Sequence, residues 1–359
     1  NIYPYDYFTA TPANRGLAKI ATLVEQVRRE NPHVLLIDCG DTIQGTPLES
    51  VYQHFVSSGK FPLGLKPAAA LPADPMMLAM NRMRYEAMVV GNHEFNFGLK
   101  NLERARADAR FPWLSANIVV EPGAGVKPFD PYIVKSIAGV KVAVVGITTP
   151  SIPSWEKPEN YRGLRFVPGV QAARAAVEQL RRRQRPDLII AAVHAGLGEG
   201  RENMATAVAK RVAGIQAIVY GHSHQREPGR RVGEVLMVQP QHWGGSLARL
   251  DFELERRGAG WRVVDCRSKL LAAGKETPAE AAILELARRY LTAPVAEAPV
   301  RLDAALGRFE DNALVDAIHA VQLHYAKADV SFTALFNTAV RVPAGPVTVR
   351  QIAALYPYD

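Results

Sequence analysis

Short apolar runs alternate with amphipathic segments along the first 220 residues, and several of the runs stop abruptly at a glycine or a polar residue. Apolar runs of about 4–8 residues are typical of buried strands, whereas apolar residues at helical spacing indicate helices. The predicted strands are Val34–Asp38, Ala87–Val90, Trp113–Asn117, Tyr132–Ile137, Val140–Ile147, Leu188–Val193 and Ile215–Tyr220. The predicted helices are Gly16–Glu30, Pro75–Arg84, Leu99–Ala109, Gln171–Arg183 and Glu202–Ala213.

The pattern changes after residue 220, where strands follow one another without helices between them. Val235–Gln239, Ser246–Glu255 and Trp261–Leu270 are predicted to form a closing antiparallel set. Alternating β and α elements followed by hairpins favour an α/β fold with a mixed two-sheet sandwich flanked by helices over a plain doubly wound sheet. The glycine run Gly196–Gly200 has the spacing G-x-G-x-G, which does not match a dinucleotide-binding loop.

Three regions are predicted along the chain. Residues 1–275 form the first domain, and Thr46–Leu71 reads as a long insertion within it. Residues 276–299 form a linker, with a helix at Thr277–Leu291 and a Pro/Ala hinge at Ala293–Pro299. Residues 300–359 begin a second α/β unit with a helix at Asn312–His324, and we expect this unit to be truncated.

Composition narrows the class of protein only moderately. Apolar residues make up 48 % of the chain and charged residues 22 %, as in ordinary globular proteins. No apolar run approaches the ~20 residues of a membrane span, and no signal-like segment opens the sequence. The formal net charge of +8 favours anionic substrates such as phosphates, or nucleic acid. Cys39 and Cys266 are predicted to be buried free thiols.

Polar side chains that bind metals or move protons lie within a few residues of the carboxyl ends of the predicted strands. Taken alone, an aspartate there is commonly a cap, and a buried histidine is commonly satisfied by hydrogen bonds. Several of them on successive strands favour one shared site, and nitrogen and oxygen ligands without thiolate suit Zn, Mn or Fe. The candidates are Asp41, Asn92, His93, His194, His222 and His224.

The order of these motifs resembles that of the calcineurin-like metallophosphoesterases, in particular the 5′-nucleotidase and 2′,3′-cyclic-nucleotide 2′-phosphodiesterase family. The motifs are Gly40-Asp41, Gly91-Asn92-His93-Glu94, His194 and Gly221-His222-Ser223-His224. The resemblance implies two divalent metal ions bridged by Asp41. It implies that Asn92, His194 and His222 complete one ion and that His224 binds the other. It also implies that His93 stabilises the transition state or protonates the leaving oxygen, while Glu94 is expected to be structural.

One motif of that family is missing from the sequence. Its first strand carries Asp-x-His, which supplies two ligands to the ion bound by His224 and should directly precede residues 1–5. We expect this motif in the parent protein, upstream of Asn1. The resemblance further implies a nucleotide substrate and a periplasmic, cell-surface or secreted location. No obligate protein partner is evident from the sequence.

Four smaller motifs resemble the bacterial 2′,3′-cyclic phosphodiesterase/3′-nucleotidase branch. They are Tyr5-Asp6-Tyr7, Phe95-Asn96-Phe97-Gly98, Ser154-Trp155-Glu156 and Trp243-Gly244-Gly245. In 5′-nucleotidases an aspartate that pairs with the catalytic histidine usually stands at the position of Asn96. A comparable alternative is that Asn96 only caps the helix at Leu99–Ala109.

A weaker motif lies in the second unit. Asn337 and Arg341 stand near the position of a substrate loop in 5′-nucleotidases, but the glycines of that loop are missing, and an exposed loop arginine is the simpler interpretation. The predicted activity is hydrolysis of 2′,3′-cyclic nucleotides and 3′-nucleotides by a two-metal phosphoesterase. The alternatives are a 5′-nucleotidase or UDP-sugar hydrolase, and a non-catalytic protein that binds nucleotides or nucleic acid on the same fold.

Overall fold

The computed structural model describes residues 1–7, 11–56, 73–291, 294–298, 301–305, 312–333 and 337–355. Its α-helices are α1 (Leu17–Glu30), α2 (Pro47–Val51), α3 (Pro75–Arg82), α4 (Gly98–Asp108), α5 (Gly169–Arg183), α6 (Ala205–Arg211), α7 (Ala281–Leu291), α8 (Ala313–Ala326) and α9 (Val349–Leu355). A π-helical segment covers Tyr52–Val56, and 3₁₀ turns cover His93–Phe95, Ile152–Ser154 and Pro158–Tyr161.

The strands are numbered in chain order. The first ten are β1 (Tyr5–Asp6), β2 (Thr11–Pro12), β3 (Ile37–Asp38), β4 (Ala87–Val89), β5 (Trp113–Leu114), β6 (Ile118–Val120), β7 (Tyr132–Ile137), β8 (Val140–Thr148), β9 (Leu164–Phe166) and β10 (Leu188–His194). The others are β11 (Ala217–Tyr220), β12 (Arg226–Val232), β13 (Val235–Pro240), β14 (Ser246–Arg257), β15 (Gly260–Ala272), β16 (Pro294–Ala298), β17 (Leu302–Asp303), β18 (Arg341–Val342) and β19 (Gly345–Thr348).

The chain divides into two compact units. The first contains Asn1–Pro4, Asn14–Gln44 and Ala73–Leu284, and the second contains Tyr5–Ala13, Gly45–Pro72 and Glu285–Asp359. In the first unit a mixed sheet of six strands has the order β12-β13-β11-β10-β8-β7. A parallel sheet of order β3-β4-β5 and the long hairpin β14-β15 complete its β structure, together with the pair β6-β9.

Alternate residues of the central strands face two different apolar layers. On β10, Ile189, Ala191 and Val193 join the cluster that contains buried residues of α5 and α6. Leu188 and Ile190 point the other way, into a cluster with residues of β4, β5 and the hairpin β14-β15. A strand that is covered on both faces needs apolar residues at every position, which is why this run contains no polar break. The predicted two-sheet α/β sandwich flanked by helices is confirmed.

The prediction for the closing strands was right in one part and wrong in another. Strands Ser246–Arg257 and Gly260–Ala272 pair antiparallel, as predicted. The strand at Val235 does not pair with the strand that begins at Ser246. It lies parallel to β11 and antiparallel to β12. Sequence patterning missed β12 because this edge strand is mostly charged and exposed. Several predicted elements are also shorter. The strand predicted at Val34–Asp38 covers Ile37–Asp38, and the one predicted at Trp113–Asn117 covers Trp113–Leu114. The helix predicted at Glu202–Ala213 covers Ala205–Arg211, and the one predicted at Thr277–Leu291 covers Ala281–Leu291.

The second unit has its own small core. Its two-stranded sheets are β1-β2, β16-β19 and β17-β18, and α8 begins at Asn312, whose Oδ1 accepts hydrogen bonds from Leu314 and Val315. Part of the predicted hinge, Pro294–Ala298, forms strand β16. Residues 57–71 of the predicted insertion, residues 293 and 299 of the hinge and the last residues, 356–359, lie outside the described residues. The predicted domain boundaries stay predictions.

Both cysteines are free thiols, Cys266 buried and Cys39 partly buried. Among the described helices, none combines the length and the apolar character needed to cross a membrane.

Candidate metal centre

Two glycines allow the loops after β3 and β4 to pack against each other. A Cβ on Gly40, whose φ is +88°, would lie 2.7 Å from the backbone nitrogen of Gly91 and from the carbonyl oxygen of Val89. A Cβ on Gly91 would lie 2.3 Å from Oδ1 of Asp41. Heavy atoms do not approach so closely, so residues with side chains at these positions would push the two strand ends apart.

Glu94 joins the same two loops through hydrogen bonds from its side chain. Its side chain is completely buried. Oε2 accepts hydrogen bonds from the backbone N–H groups of Asp41 (2.9 Å) and Gly91 (2.6 Å). Oε1 accepts them from the backbone N–H of Thr42 (2.6 Å) and from its hydroxyl (3.1 Å). The carboxylate therefore fixes the backbone on which Asp41 and Asn92 stand.

Four predicted ligands lie close together next to these two loops. One potential ligand atom from each of Asp41, His194 and His222 lies within 4.8 Å of the others. Oδ2 of Asp41 is 3.1 Å from Nε2 of His194. Oδ1 of Asn92 lies 3.0 Å from the same Nε2 and 2.9 Å from Nδ1 of His222. In the described part of the chain, this is the group of three or more acidic, cysteine or histidine residues that could hold a metal ion.

The orientation of His194 suits a ligand. The imidazole is almost completely buried, and its Nδ1 lies 2.5 Å from the carbonyl oxygen of Cys39. A carbonyl can only accept, so Nδ1 carries the hydrogen and Nε2 faces the cluster. Metal-binding histidines are commonly oriented in this way by a partner on the other ring nitrogen.

Asp41 and His194 shift each other's pKa in opposite directions. Burial alone would raise the pKa of Asp41, but the adjacent imidazole of His194 lowers it well below the usual range. Burial alone would lower the pKa of His194, but the Asp41 carboxylate raises it. The pKa of His222 is lowered by burial and by the nearby His194. The carboxylate of Asp41 and the imidazole of His194 therefore stabilise each other's charged forms, and a divalent ion bound here would compete with the proton on His194.

The backbone is unusual at three predicted ligands. Asp41, His222 and His224 have φ values of 62°, 70° and 55°. Residues other than glycine rarely adopt this left-handed region, and such conformations concentrate at functional sites.

The donor set of one carboxylate, one amide oxygen and two imidazoles fits a divalent ion such as Zn, Mn or Fe. Asp41, Asn92, His194 and His222 would hold it.

His224 is not part of this group of ligand atoms. Its ring stacks on that of His242, with ring centroids 4.6 Å apart. Its assignment to a second ion stays a prediction.

His93 follows Asn92 directly and is paired with Asn96. Nδ1 of His93 lies 2.6 Å from Oδ1 of Asn96. Helix α4 begins after Phe97 and has no side-chain cap. The structure therefore pairs Asn96 with His93, and the predicted alternative, a side-chain cap on the helix, is not formed.

The site opens into a cleft of about 460 Å³ in the first unit. His93, Asn96 and His222 line it, together with Trp155, Glu156 and Glu202. Sequence reasoning did not include the last three among the site residues. Glu202 lies 3.3 Å from Nε2 of His222, and it reaches the site because α6 begins three residues later than predicted. Its position after the glycine run Gly196–Gly200 was the available signal.

Asn337 and Arg341 lie in the second unit and are engaged locally. Oδ1 of Asn337 accepts a hydrogen bond from the backbone of Ala339. The guanidinium of Arg341 pairs with Asp303 at 2.8 Å and donates to the carbonyl of Thr338. Their predicted role in substrate binding stays a prediction.

Comparison with known proteins agrees with this arrangement. Residues 13–226 match the family model described as Calcineurin-like phosphoesterase. The chain belongs to this family. Members of the family use two divalent metal ions, and the four converging ligands are suited to one of them. Residues 293–359 match the model described as 5′-nucleotidase, C-terminal domain.

Similar proteins carry names from nucleotide metabolism. The trifunctional nucleotide phosphoesterase protein YfkN of Bacillus subtilis is 26 % identical over all of this chain, which spans 28 % of that sequence. The 2′,3′-cyclic-nucleotide 2′-phosphodiesterase/3′-nucleotidase of Yersinia enterocolitica is 27 % identical over all of this chain, which spans 62 % of it. A crystal structure of calcineurin-like phosphoesterase YfkN has a TM-score of 0.68 at 28 % identity and covers 81 % of this chain and 92 % of its own.

Proposed function

We propose that this chain is the catalytic part of a metal-dependent phosphoesterase that hydrolyses nucleotides. The observation that carries the proposal is the convergence of Asp41, Asn92, His194 and His222 next to a cleft that Asn92, His93 and His222 line. The names of the similar proteins support nucleotides as the substrate class.

The residues of this chain have separate tasks in the proposed reaction. When bound, two divalent ions would supply Lewis-acid activation of the attacking water and neutralise charge on the phosphate. Asp41, Asn92, His194 and His222 would hold one ion, and His224 would contribute to the second. His93 would donate a hydrogen bond or a proton from its ring to a phosphoryl or leaving-group oxygen.

Within this class we propose 2′,3′-cyclic nucleotides and 3′-nucleotides as substrates. The pairing of His93 with Asn96 supports this choice, because the 5′-nucleotidases resembled by the sequence usually carry an aspartate there. The rival is a 5′-nucleotidase or UDP-sugar hydrolase, which is supported by the similarity to a 5′-nucleotidase of Vibrio cholerae at 27 % identity. Asn337 and Arg341 are proposed substrate contacts, and export from the cytoplasm is proposed from the resemblance alone.

The test is a comparison of initial rates. The full-length protein, loaded with Mn²⁺, would be assayed on 2′,3′-cyclic AMP, 3′-AMP and 5′-AMP, with the Asp41→Asn variant as control. We expect turnover of the first two substrates and almost none by the variant. A preference for 5′-AMP would favour the rival. Binding of nucleotide without turnover would favour the non-catalytic alternative. The net charge of +8 supports that alternative because it favours the binding of anions.

A further inference from the structure

A chain of side-chain hydrogen bonds leads from His93 to a carboxylate at the rim of the cleft. Nδ1 of His93 lies 2.6 Å from Oδ1 of Asn96, and Nδ2 of Asn96 donates to Oε2 of Glu156 at 2.7 Å. We propose that Glu156 is a positioning residue that acts on His93 through Asn96, by fixing the direction of the Asn96 amide and thereby the tautomer of the imidazole. The effect of Glu156 on turnover rests on the proposed function, whereas its effect on the tautomer of His93 does not.

Glu156 is held in place by contacts that do not involve the side chain of Asn96. Its Oε1 accepts hydrogen bonds from the backbone N–H of Lys157 at 2.8 Å and from Nδ2 of Asn160 at 2.9 Å. The residue lies between the 3₁₀ turns Ile152–Ser154 and Pro158–Tyr161. These contacts occupy one carboxylate oxygen and direct the other, Oε2, at Asn96.

The direction of each hydrogen bond follows from what each atom can do. A carboxylate accepts hydrogen bonds and an amide can donate only from its nitrogen, so Asn96 must turn Nδ2 towards Glu156. A flipped amide would place two oxygens 2.7 Å apart, at the distance now spanned by the hydrogen bond. With Nδ2 committed, Oδ1 of Asn96 faces His93.

The consequence reaches the proposed catalytic residue. Because Oδ1 of Asn96 can only accept, Nδ1 of His93 must carry its hydrogen. The other ring nitrogen, Nε2, is then the one that takes up the second proton of the imidazolium, and from this form the ring donates to an oxygen of the substrate. A fixed tautomer presents the same nitrogen in every molecule of the enzyme, whereas an amide free to flip would divide the population between two tautomers.

The first readout does not depend on activity. The tautomer of His93 can be measured by ¹⁵N NMR on the metal-free full-length protein with labelled histidine, at pH 8.5, where imidazoles are ordinarily neutral. We expect the Nδ1–H tautomer in the wild type. Glu156→Gln should add a measurable Nε2–H fraction, because an amide can donate or accept towards Asn96. The matched control is Glu159→Gln, the same change at an exposed residue three positions further along the loop.

The second readout is turnover by the Mn²⁺-loaded protein. E156Q should lower kcat roughly tenfold, the scale of one lost hydrogen bond to a charged group, with KM changed less than about twofold. Asn96→Asp should also lower kcat, because it sets a second carboxylate against Glu156. The double variant N96D/E156Q should be faster than N96D alone, because the new amide can donate to the new carboxylate.

These outcomes separate the inference from the proposed function. A pure Nδ1–H tautomer in E156Q would overturn the inference, as would a kcat of E156Q equal to that of E159Q. If E156Q melts at a lower temperature than E159Q, its lower kcat could come from instability alone. The kcat values of N96D and N96D/E156Q are then compared, and a lower kcat in the double variant overturns the inference. A wild-type protein that hydrolyses no nucleotide would refute the proposed function, but the tautomer experiment would still stand.

Discussion

Replacing Glu94 by glutamine should destabilise the fold far more than the loss of an ordinary surface charge. Each oxygen of the buried carboxylate accepts at least one backbone N–H, from Asp41 and Gly91 on one side and from Thr42 on the other. Whichever oxygen becomes the amide nitrogen, at least one buried N–H then faces another donor. The two loops would lose the group that joins them.

The magnitude follows from those contacts. An unsatisfied buried donor costs about 1–3 kcal/mol, and the hydrogen bonds that remain lose the charge that strengthens them. We therefore expect Glu94→Gln to lower the free energy of unfolding by roughly 2–4 kcal/mol. The matched control is Glu121→Gln, which breaks an exposed ion pair with Arg165. Such pairs contribute about 0–1 kcal/mol.

The assay is urea unfolding of the metal-free protein, followed by circular dichroism. A lower transition midpoint with an unchanged slope would indicate a loss of stability rather than a change in the denatured state. Equal effects of E94Q and E121Q would refute the assignment of Glu94 as the support of the metal centre.

Three further predictions concern the site itself. His93→Ala should lower kcat about 10²–10⁴-fold while leaving the metal content unchanged, because its ring acts on the substrate and not on the ion; kinetics and metal analysis of the same sample check this. Metal affinity should rise about tenfold per pH unit and then level off once His194 is deprotonated. The reason is that Asp41 raises the pKa of His194, so the ion must displace the proton from its ring. Calorimetry in buffers of different ionisation enthalpy would measure the proton released. Gly91→Ala should cost about 1–3 kcal/mol and weaken metal binding, because its Cβ would collide with Asp41; urea unfolding and metal titration test both effects.

Each of these predictions has an outcome that contradicts it. Loss of the metal together with activity in H93A would make His93 a ligand. A metal affinity that does not change with pH would mean that no proton is displaced. Wild-type stability in G91A would mean that the two loops can separate freely.

The sequence predicted the parts of the fold that are decided locally. The run Leu188–Val193 contains no polar residue, and a strand covered on both faces is the structure that such a run favours. Strand β12 could not be predicted in this way, because its residues are mostly charged and exposed and it pairs only along one edge. The direction of β13 was predicted wrongly because an apolar run does not indicate its partner.

The candidate metal centre also has parts that could be predicted from the sequence and parts that could not. The four ligands lie at or just after strand ends, so their convergence could be expected from the arrangement of the strands. They are Asp41, Asn92, His194 and His222. The partners that hold them depend on contacts between distant segments. Glu94 binds the backbone of Asp41, 53 residues earlier, and Glu156 reaches Asn96 across 60 residues. No local pattern records such pairs.

The most direct test of the metal centre is anomalous diffraction from crystals of the full-length protein grown with Zn²⁺. We expect an ion about 2.0–2.2 Å from ligand atoms of Asp41, Asn92, His194 and His222, the usual range for zinc bound to nitrogen and oxygen. A crystal with zinc at other residues only, and with hydrogen bonds between Asn92 and the two histidines left intact, would contradict it.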